Sequence, residues 1–184
     1  MEKLVCGSCI FGLKAIMGSD EWIPVWISEV IPLTDDISSF RIEPTNGHEL
    51  MPAKPGQHLL IQARIADQWV QRPYTISSAA GEREYYEITV KREFHGVFSK
   101  WLFEEDHDNT FIRITEPEGD YFADLTSHKP IVCLVSGIGV TPALAICRSL
   151  IHEEEVQQRL HIDYSASSKE QMVCREELQA AQVW

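Results

Sequence analysis

The sequence predicts two successive folds: an antiparallel barrel of six short strands, then the beginning of a doubly wound α/β domain. Three observations carry this. Short β-branched or alternating runs recur between Gly, Pro, Asn and Asp turns from residue 22 to residue 125. At Pro130 the pattern changes to a continuous apolar run over residues 131–135, as expected of a parallel strand buried on both faces. A glycine-rich turn follows it at once, and then a helix start.

The barrel strands are placed at residues 24–31, 39–43, 57–65, 72–77, 85–92 and 110–115. Phe40 and Ile42 share one face and Arg41 and Glu43 the other; Tyr86, Ile88 and Val90 alternate in the same way with Glu87, Thr89 and Lys91. Pro55-Gly56 separates the second strand from the third. One helix interrupts the strands over residues 97–104, after Gly96. In the last part, Thr141 suits a helix N-cap and Pro142 the first helical position. Leu144, Cys147 and Ile151 continue at helical spacing; a strand over 160–165 and a helix over 170–181 complete a β-α-β-α order. The domains are therefore set at 22–125 and 130–184, and residues 1–21 carry too little pattern for an assignment.

Composition narrows the function. The 184 residues are 44 % hydrophobic and 24 % charged, ordinary for a globular protein. A net charge of −12 argues against nucleic acid as a partner, because phosphates would be repelled. An acidic surface can steer a basic partner, and it serves solubility equally well. No apolar run approaches the roughly 20 residues of a membrane-spanning helix, and the start lacks the features of a secretory signal, so a cytoplasmic location is expected. The five cysteines are odd in number and mostly fall inside predicted elements, which disfavours a disulfide framework. Cys6 and Cys9 form a lone Cys-x-x-Cys: too few ligands for a cluster or a structural zinc, so no metal is assigned.

The sharpest chemical signal is Arg72-Pro73-Tyr74-Thr75. A guanidinium grips phosphate oxygens as a fork, a tyrosine ring lies flat on an aromatic system, and a hydroxyl bonds a ring nitrogen. Strand alternation alone would put Thr75 on the face opposite Arg72 and Tyr74; Pro73 supplies a local twist that lets the three converge. These groups suit a flavin, although four residues alone fit an edge strand with an exposed arginine equally well.

Further stretches decide between the two. Arg72-Pro73-Tyr74-Thr75, with Gly56-Gln57-His58 ahead of it, resembles the Arg-x-Tyr-Ser/Thr motif of the ferredoxin–NADP⁺ reductase superfamily, in the form used by its cytochrome b5 reductase and oxygenase-reductase branches. Thr89-Val90-Lys91 with Phe94 resembles the next flavin-contacting strand, and Gly96-Val97-Phe98-Ser99 the turn that cradles a pyrophosphate. Gly137-Ile138-Gly139-Val140-Thr141-Pro142 resembles the family's Gly-x-Gly-x-Thr-Pro loop for the nicotinamide nucleotide, and Pro117 to Phe122 the turn that closes the barrel.

The resemblance implies an FAD-binding barrel, with FAD rather than FMN favoured by the pyrophosphate turn. It implies that Arg72 binds flavin phosphate, that Tyr74 packs on the ring system and that Thr75 faces its N5 edge, beside the reacting atoms. Pro73, Thr89, Lys91, Phe94, Gly96, Val97, Phe98 and Ser99 would complete the flavin site, and Gly137, Gly139, Thr141 and Pro142 the nucleotide site. NADH or NADPH would donate hydride, and an iron–sulfur or haem protein would receive single electrons. Ser167 stands where NADP-preferring members often carry an arginine. The stretch from 130 to 184 is shorter than a whole doubly wound domain, and no counterpart of the family's later Cys-Gly motif is assigned. A flavin-binding subunit or fragment without nicotinamide turnover of its own therefore stands as the alternative, with a cofactor-free barrel behind it.

Overall fold

The computed structural model describes residues 2–5, 22–104, 111–127, 129–152 and 158–180. The first sheet is antiparallel. Its strands are β2 (Ile23–Pro32), β3 (Ile37–Pro44), β4 (His58–Ile65), β5 (Gln68–Thr75), β6 (Tyr86–Lys91) and β7 (Phe111–Ile114), in the order β5-β4-β7-β2-β3-β6. An Ile76–Ile88 bridge brings the end of β5 back to β6, so the sheet curls upon itself. The second sheet is parallel, with β1 (Glu2–Val5), β8 (Ile131–Ser136) and β9 (Leu160–Ser165) in the order β1-β8-β9. Helix α1 (Val97–Glu104) closes the barrel, and α2 (Thr141–His152) and α3 (Arg175–Ala180) belong with the parallel sheet.

The alternation in the sequence is what packs the barrel. Val25, Ile27, Phe40, Ile42, Leu59, Ile61, Ile88, Val90, Ile112 and Ile114 turn inward, each with almost no exposed surface, and Phe98 and Leu102 of α1 plug the space between them. Burying a side chain of this size contributes about 1.5–3 kcal/mol. A second core forms where Ile131, Cys133 and Val135 of β8 meet Ala143, Ile146 and Leu150 of α2. Ile37, Ala123 and Leu125, which come from the barrel side of the chain, are buried in that second core.

Five expectations change. Residues 2–5, left unassigned, form a strand whose backbone pairs with Ile131–Leu134; Cys6 and Cys9 lie outside the described residues. The fourth barrel strand starts at Gln68 rather than at residue 72, because Ala66 and Asp67 turn the chain in two residues, both with positive φ (46° and 62°). That is the geometry of a type I′ hairpin, and Ala-Asp lacks the glycine that usually announces it. β8 is buried on one face only: Leu134 remains 38 % exposed, since among the described residues no helix covers that side. Thr141 is not an N-cap. Its φ and ψ of −55° and −41° are already helical, and a short 3-10 turn over Gly137–Val140 runs straight into α2. The last helix is also shorter than expected, beginning at Arg175. Seven of the eight expected strands and helix α1 stand where the sequence places them, within a few residues.

Candidate functional site

A cleft of about 780 Å³ opens between the barrel and the N-terminal end of α2. Six stretches of chain line it, and four of them carry the residues picked out from the sequence. The end of β5 supplies Arg72, Pro73, Tyr74 and Thr75; β6 supplies Thr89, Val90 and Lys91; the turn into α1 supplies Gly96, Val97, Phe98 and Ser99; and the 3-10 turn with α2 supplies Ile138, Gly139, Thr141 and Pro142. Segments far apart in the sequence thus share one wall. Thr75 lines the cleft together with Arg72 and Tyr74, as the site requires.

Each side chain is held by something specific. Arg72 is exposed; its guanidinium donates to the carbonyl of Gln71 at 2.6 Å and makes no ion pair among the described residues. A guanidinium on a cleft wall that is not itself paired with a carboxylate is free to grip an anion. Tyr74 leans on Phe98, ring centroids 5.7 Å apart, and burial pushes its phenol up to about 12, so the hydroxyl is neutral at any ordinary pH. Thr89 is fixed from behind by Ser39 (2.9 Å) and Ser77 (3.0 Å). Lys91 pairs with Asp36 at 3.5 Å. Hydrogen bonds from Thr34 and Gln171, with Lys91 nearby, hold the Asp36 carboxyl below the usual carboxylate range.

The turn at Gly96 is closely fitted. A Cβ there would overlap the hydroxyl of Ser99 and approach Cβ of Glu93 to 2.9 Å. The Ser99 hydroxyl in turn accepts from the amide of Glu93 at 3.1 Å. The first amides of α1 follow directly, and helix-opening N–H groups favour an anion.

Phe94 and Gly137, expected in the site, are not part of the cleft wall. Phe94 is 78 % exposed, with its edge against His95 and Lys100 above its ring. Gly137 has φ +51° and forms the bend that delivers Ile138 and Gly139 to the wall. Conversely, Gly56, His58, Glu93, His95, Gly119, Asp120 and Tyr121 line the cleft without having been named as site residues. Two of them carried a signal: Gly56 and Gly119 have φ of +111° and +106°, and a Cβ would come within 2.7 Å of the Tyr121 carbonyl and 2.8 Å of Nδ1 of His58. His58 stands directly across from Thr75 in the β4–β5 pairing, and its Nε2 lies 3.9 Å from Glu118.

A second, shallower depression of about 430 Å³ lies at the carboxyl ends of β8 and β9, between Leu134–Ser136 and Asp163–Ser165. Parallel sheets bind ligands at such strand ends.

Known proteins share this arrangement. Residues 24–122 match the oxidoreductase FAD-binding domain family. The flavohemoprotein of Bacillus subtilis (strain 168) is 30 % identical over 166 residues, covering 89 % of this chain and 41 % of the relative. That of Pseudomonas aeruginosa PAO1 is 34 % identical over 128 residues, covering 70 % and 32 %. Among solved structures, the flavohem-like FAD/NAD-binding domain of nitric oxide dioxygenase from Vibrio cholerae superposes with a TM-score of 0.78 at 24 % identity, covering 86 % of this chain and 68 % of the other. Phthalate dioxygenase reductase superposes at 0.73 with 23 % identity, covering 87 % and 48 %. The matches to the curated relatives span about a third to two fifths of the relatives' length. With residues 24–122, nearly the whole span of the barrel, matched, the chain belongs to the oxidoreductase FAD-binding domain family.

Proposed function

We propose that the chain binds FAD in the large cleft and serves as the flavin module of an NAD(P)H oxidoreductase that feeds a haem or iron–sulfur partner. The observation that carries this is the convergence of four motif-bearing segments on one cleft, with a guanidinium at Arg72 that makes no ion pair among the described residues and a fitted glycine turn at Gly96. The residues fit the cofactor. Arg72 and the opening amides of α1 suit a diphosphate, which favours FAD over FMN. Tyr74 offers a neutral aromatic face beside Phe98. Thr75 presents a hydroxyl from the next position along the strand.

When bound, FAD supplies the exchange between two-electron nicotinamide chemistry and one-electron carriers. The protein's own part is placement. Thr75 and β6 line the cleft together with Gly139, Thr141 and Pro142 from the α2 end, beside which a nicotinamide nucleotide would enter. Lys91, tied to Asp36, puts a positive charge on the same wall. The domain limits of 22–125 for the flavin part and 130–184 for the nucleotide part follow from this division of labour.

The names of two comparison proteins support the two acceptor classes: one relative is a flavohemoprotein, and phthalate dioxygenase reductase is described as transferring electrons to [2Fe-2S]. A second reading, a flavin-carrying subunit without nicotinamide turnover, is favoured by the bare face of β8. Adding FAD to the purified chain, then NADH or NADPH without oxygen, tests both. A yellow protein that bleaches supports the oxidoreductase. One that stays yellow supports the subunit, and a chain that takes up no FAD sinks both. Arg72→Ala should weaken FAD binding about 10- to 100-fold, as expected for lost charge-assisted bonds.

A further inference from the structure

We propose that Arg148 is a positioning residue that holds the nucleotide loop over Gly137–Pro142 against the flavin cleft, an inference that rests on the FAD reading above. Arg148 lies on α2, seven positions beyond Thr141, and none of the family motifs contains it. Its guanidinium joins the two halves of the molecule. On one side Nε and Nη2 donate to both carboxylate oxygens of Glu177 on α3, at 2.6 and 3.0 Å. On the other side Nη1 donates to Oε1 of Glu87 on β6 at 2.6 Å and to the carbonyl of Ser77 at 2.9 Å.

The barrel partners are deeply buried and lead to the cleft. Glu87 is 5 % exposed and Ser77 fully buried. The Ser77 hydroxyl lies 3.4 Å from the same Glu87 oxygen and 3.0 Å from Oγ1 of Thr89, which lines the cleft. Ser77 also stands two residues after Thr75, at the exit of the Arg72–Thr75 strand end. The same segment touches α2 twice more: the Ala80 amide donates to Ser149 at 2.8 Å, and Gly81 has no room for a Cβ, which would meet the His152 ring at 2.9 Å. Helix α2 is thus fastened along one face to the segment that follows Thr75, while its first residues, Thr141 and Pro142, line the same cleft as Thr75. A shift of Arg148 would carry those first residues with it relative to Thr75.

Removing one partner of a buried charge pair leaves the other uncompensated, so such a pair fixes one arrangement more firmly than it adds net stability. Only a planar fork can serve Glu177 through two nitrogens while also reaching Glu87 and Ser77.

The test uses the whole chain loaded with FAD. Arg148→Met should leave the FAD dissociation constant within about twofold, because none of its contacts lies on the cleft wall that holds Arg72 and Gly96. Flavin reduction by NADH or NADPH should slow by roughly 10- to 100-fold, the scale expected when reacting groups are displaced by about an ångström. Arg148→Lys should not restore the rate. Independently of activity, amide hydrogen exchange should quicken at Ala80 and across α2 in the Met variant, with β4 and β7 unchanged. An unaltered reduction rate, rescue by lysine, or FAD affinity falling in step with the rate would each overturn the proposal. If the wild-type chain takes up FAD but is not bleached, the oxidoreductase reading fails on its own. The exchange measurement then decides this one: protection at Ala80 and α2 unchanged in Arg148→Met removes it.

Discussion

The barrel and the parallel-sheet half bury their strands differently. In the barrel, the inward residues of β2, β3, β4, β6 and β7 meet one another and the α1 plug, and Phe40, Ile42, Leu59, Ile61 and Ile114 have no measurable exposure. In the other half, β8 buries Ile131, Cys133 and Val135 against α2 and leaves Leu134 exposed on its far side. The second core also borrows Ile37, Ala123 and Leu125 from the barrel side. The barrel therefore carries its own hydrophobic driving force, and the parallel sheet leans on the barrel for part of its own. That asymmetry suits the proposed division of labour, in which a rigid cofactor cradle would position a smaller, dependent nucleotide loop.

The largest expected effect sharpens this contrast. Phe40→Ala should destabilise the barrel by about 4 kcal/mol, through lost transfer free energy and a residual cavity. Leu134→Ala should change stability by less than about 0.5 kcal/mol, as surface substitutions do. Denaturant unfolding read by hydrogen exchange at β4 and β8 separates the two. Equal costs would show that the far face of β8 is covered in solution.

Ile37→Ala comes next and can break the contrast. Ile37 opens β3 but is buried in the second core, so its loss should cost about 3 kcal/mol and be felt at β8 and α2 more than at β4. Acid should act at the same junction. The neighbouring Asp36 carboxylate accepts from Gln171 at 3.1 Å. Its folded pKa is lowered, so its contribution is complete above the ordinary carboxylate pKa and is lost as pH falls through the lowered value. Faster exchange at Gln171 below about pH 4, absent in Asp36→Asn, is the expected observation. If Ile37→Ala loosens only the barrel, the dependence of the second half on the first is wrong.

Much of this was readable beforehand, for a physical reason. The barrel's inner face is set by period-two alternation, which Phe40-Arg41-Ile42-Glu43 and Tyr86 to Lys91 display in full, and the cleft motifs sit at strand ends fixed by that alternation. What stayed hidden depends on contacts between distant segments. A strand at Glu2–Val5 exists only because β8 offers an unpaired edge, and nothing in its own four residues announces it. His58, Gly119 and Tyr121 reach the cleft through the His58–Glu118 bridge, a pairing between positions far apart in the sequence. Nothing in the sequence singles out Arg148, because both its carboxylate partners lie on other elements.

Gly96→Ala should have a smaller but sharper effect than the core changes. The added methyl must displace the Ser99 hydroxyl or Glu93, costing about 1–3 kcal/mol and opening the turn that leads into α1. FAD affinity should fall with it, whereas binding at the proposed nucleotide site around Gly139 and Thr141 should be unchanged. An isothermal titration showing unchanged FAD affinity would remove this turn from the diphosphate site.

The smallest effect is a gain, and it tests whether the barrel is at its stability limit. Ala66 sits at φ +46° in the two-residue turn between β4 and β5, a conformation that crowds its Cβ. Ala66→Gly relieves that crowding, while the glycine's extra freedom in the unfolded chain opposes it, so a net gain of about 0.5 kcal/mol is expected. Because the hairpin belongs to the barrel, the gain should slow exchange at β4 and β5 and leave β8 and β9 where they were. A loss of stability would mean that in solution Ala66 does not hold the left-handed conformation, and that the β4–β5 register is set by the Arg72–Thr75 end of the hairpin rather than by its turn.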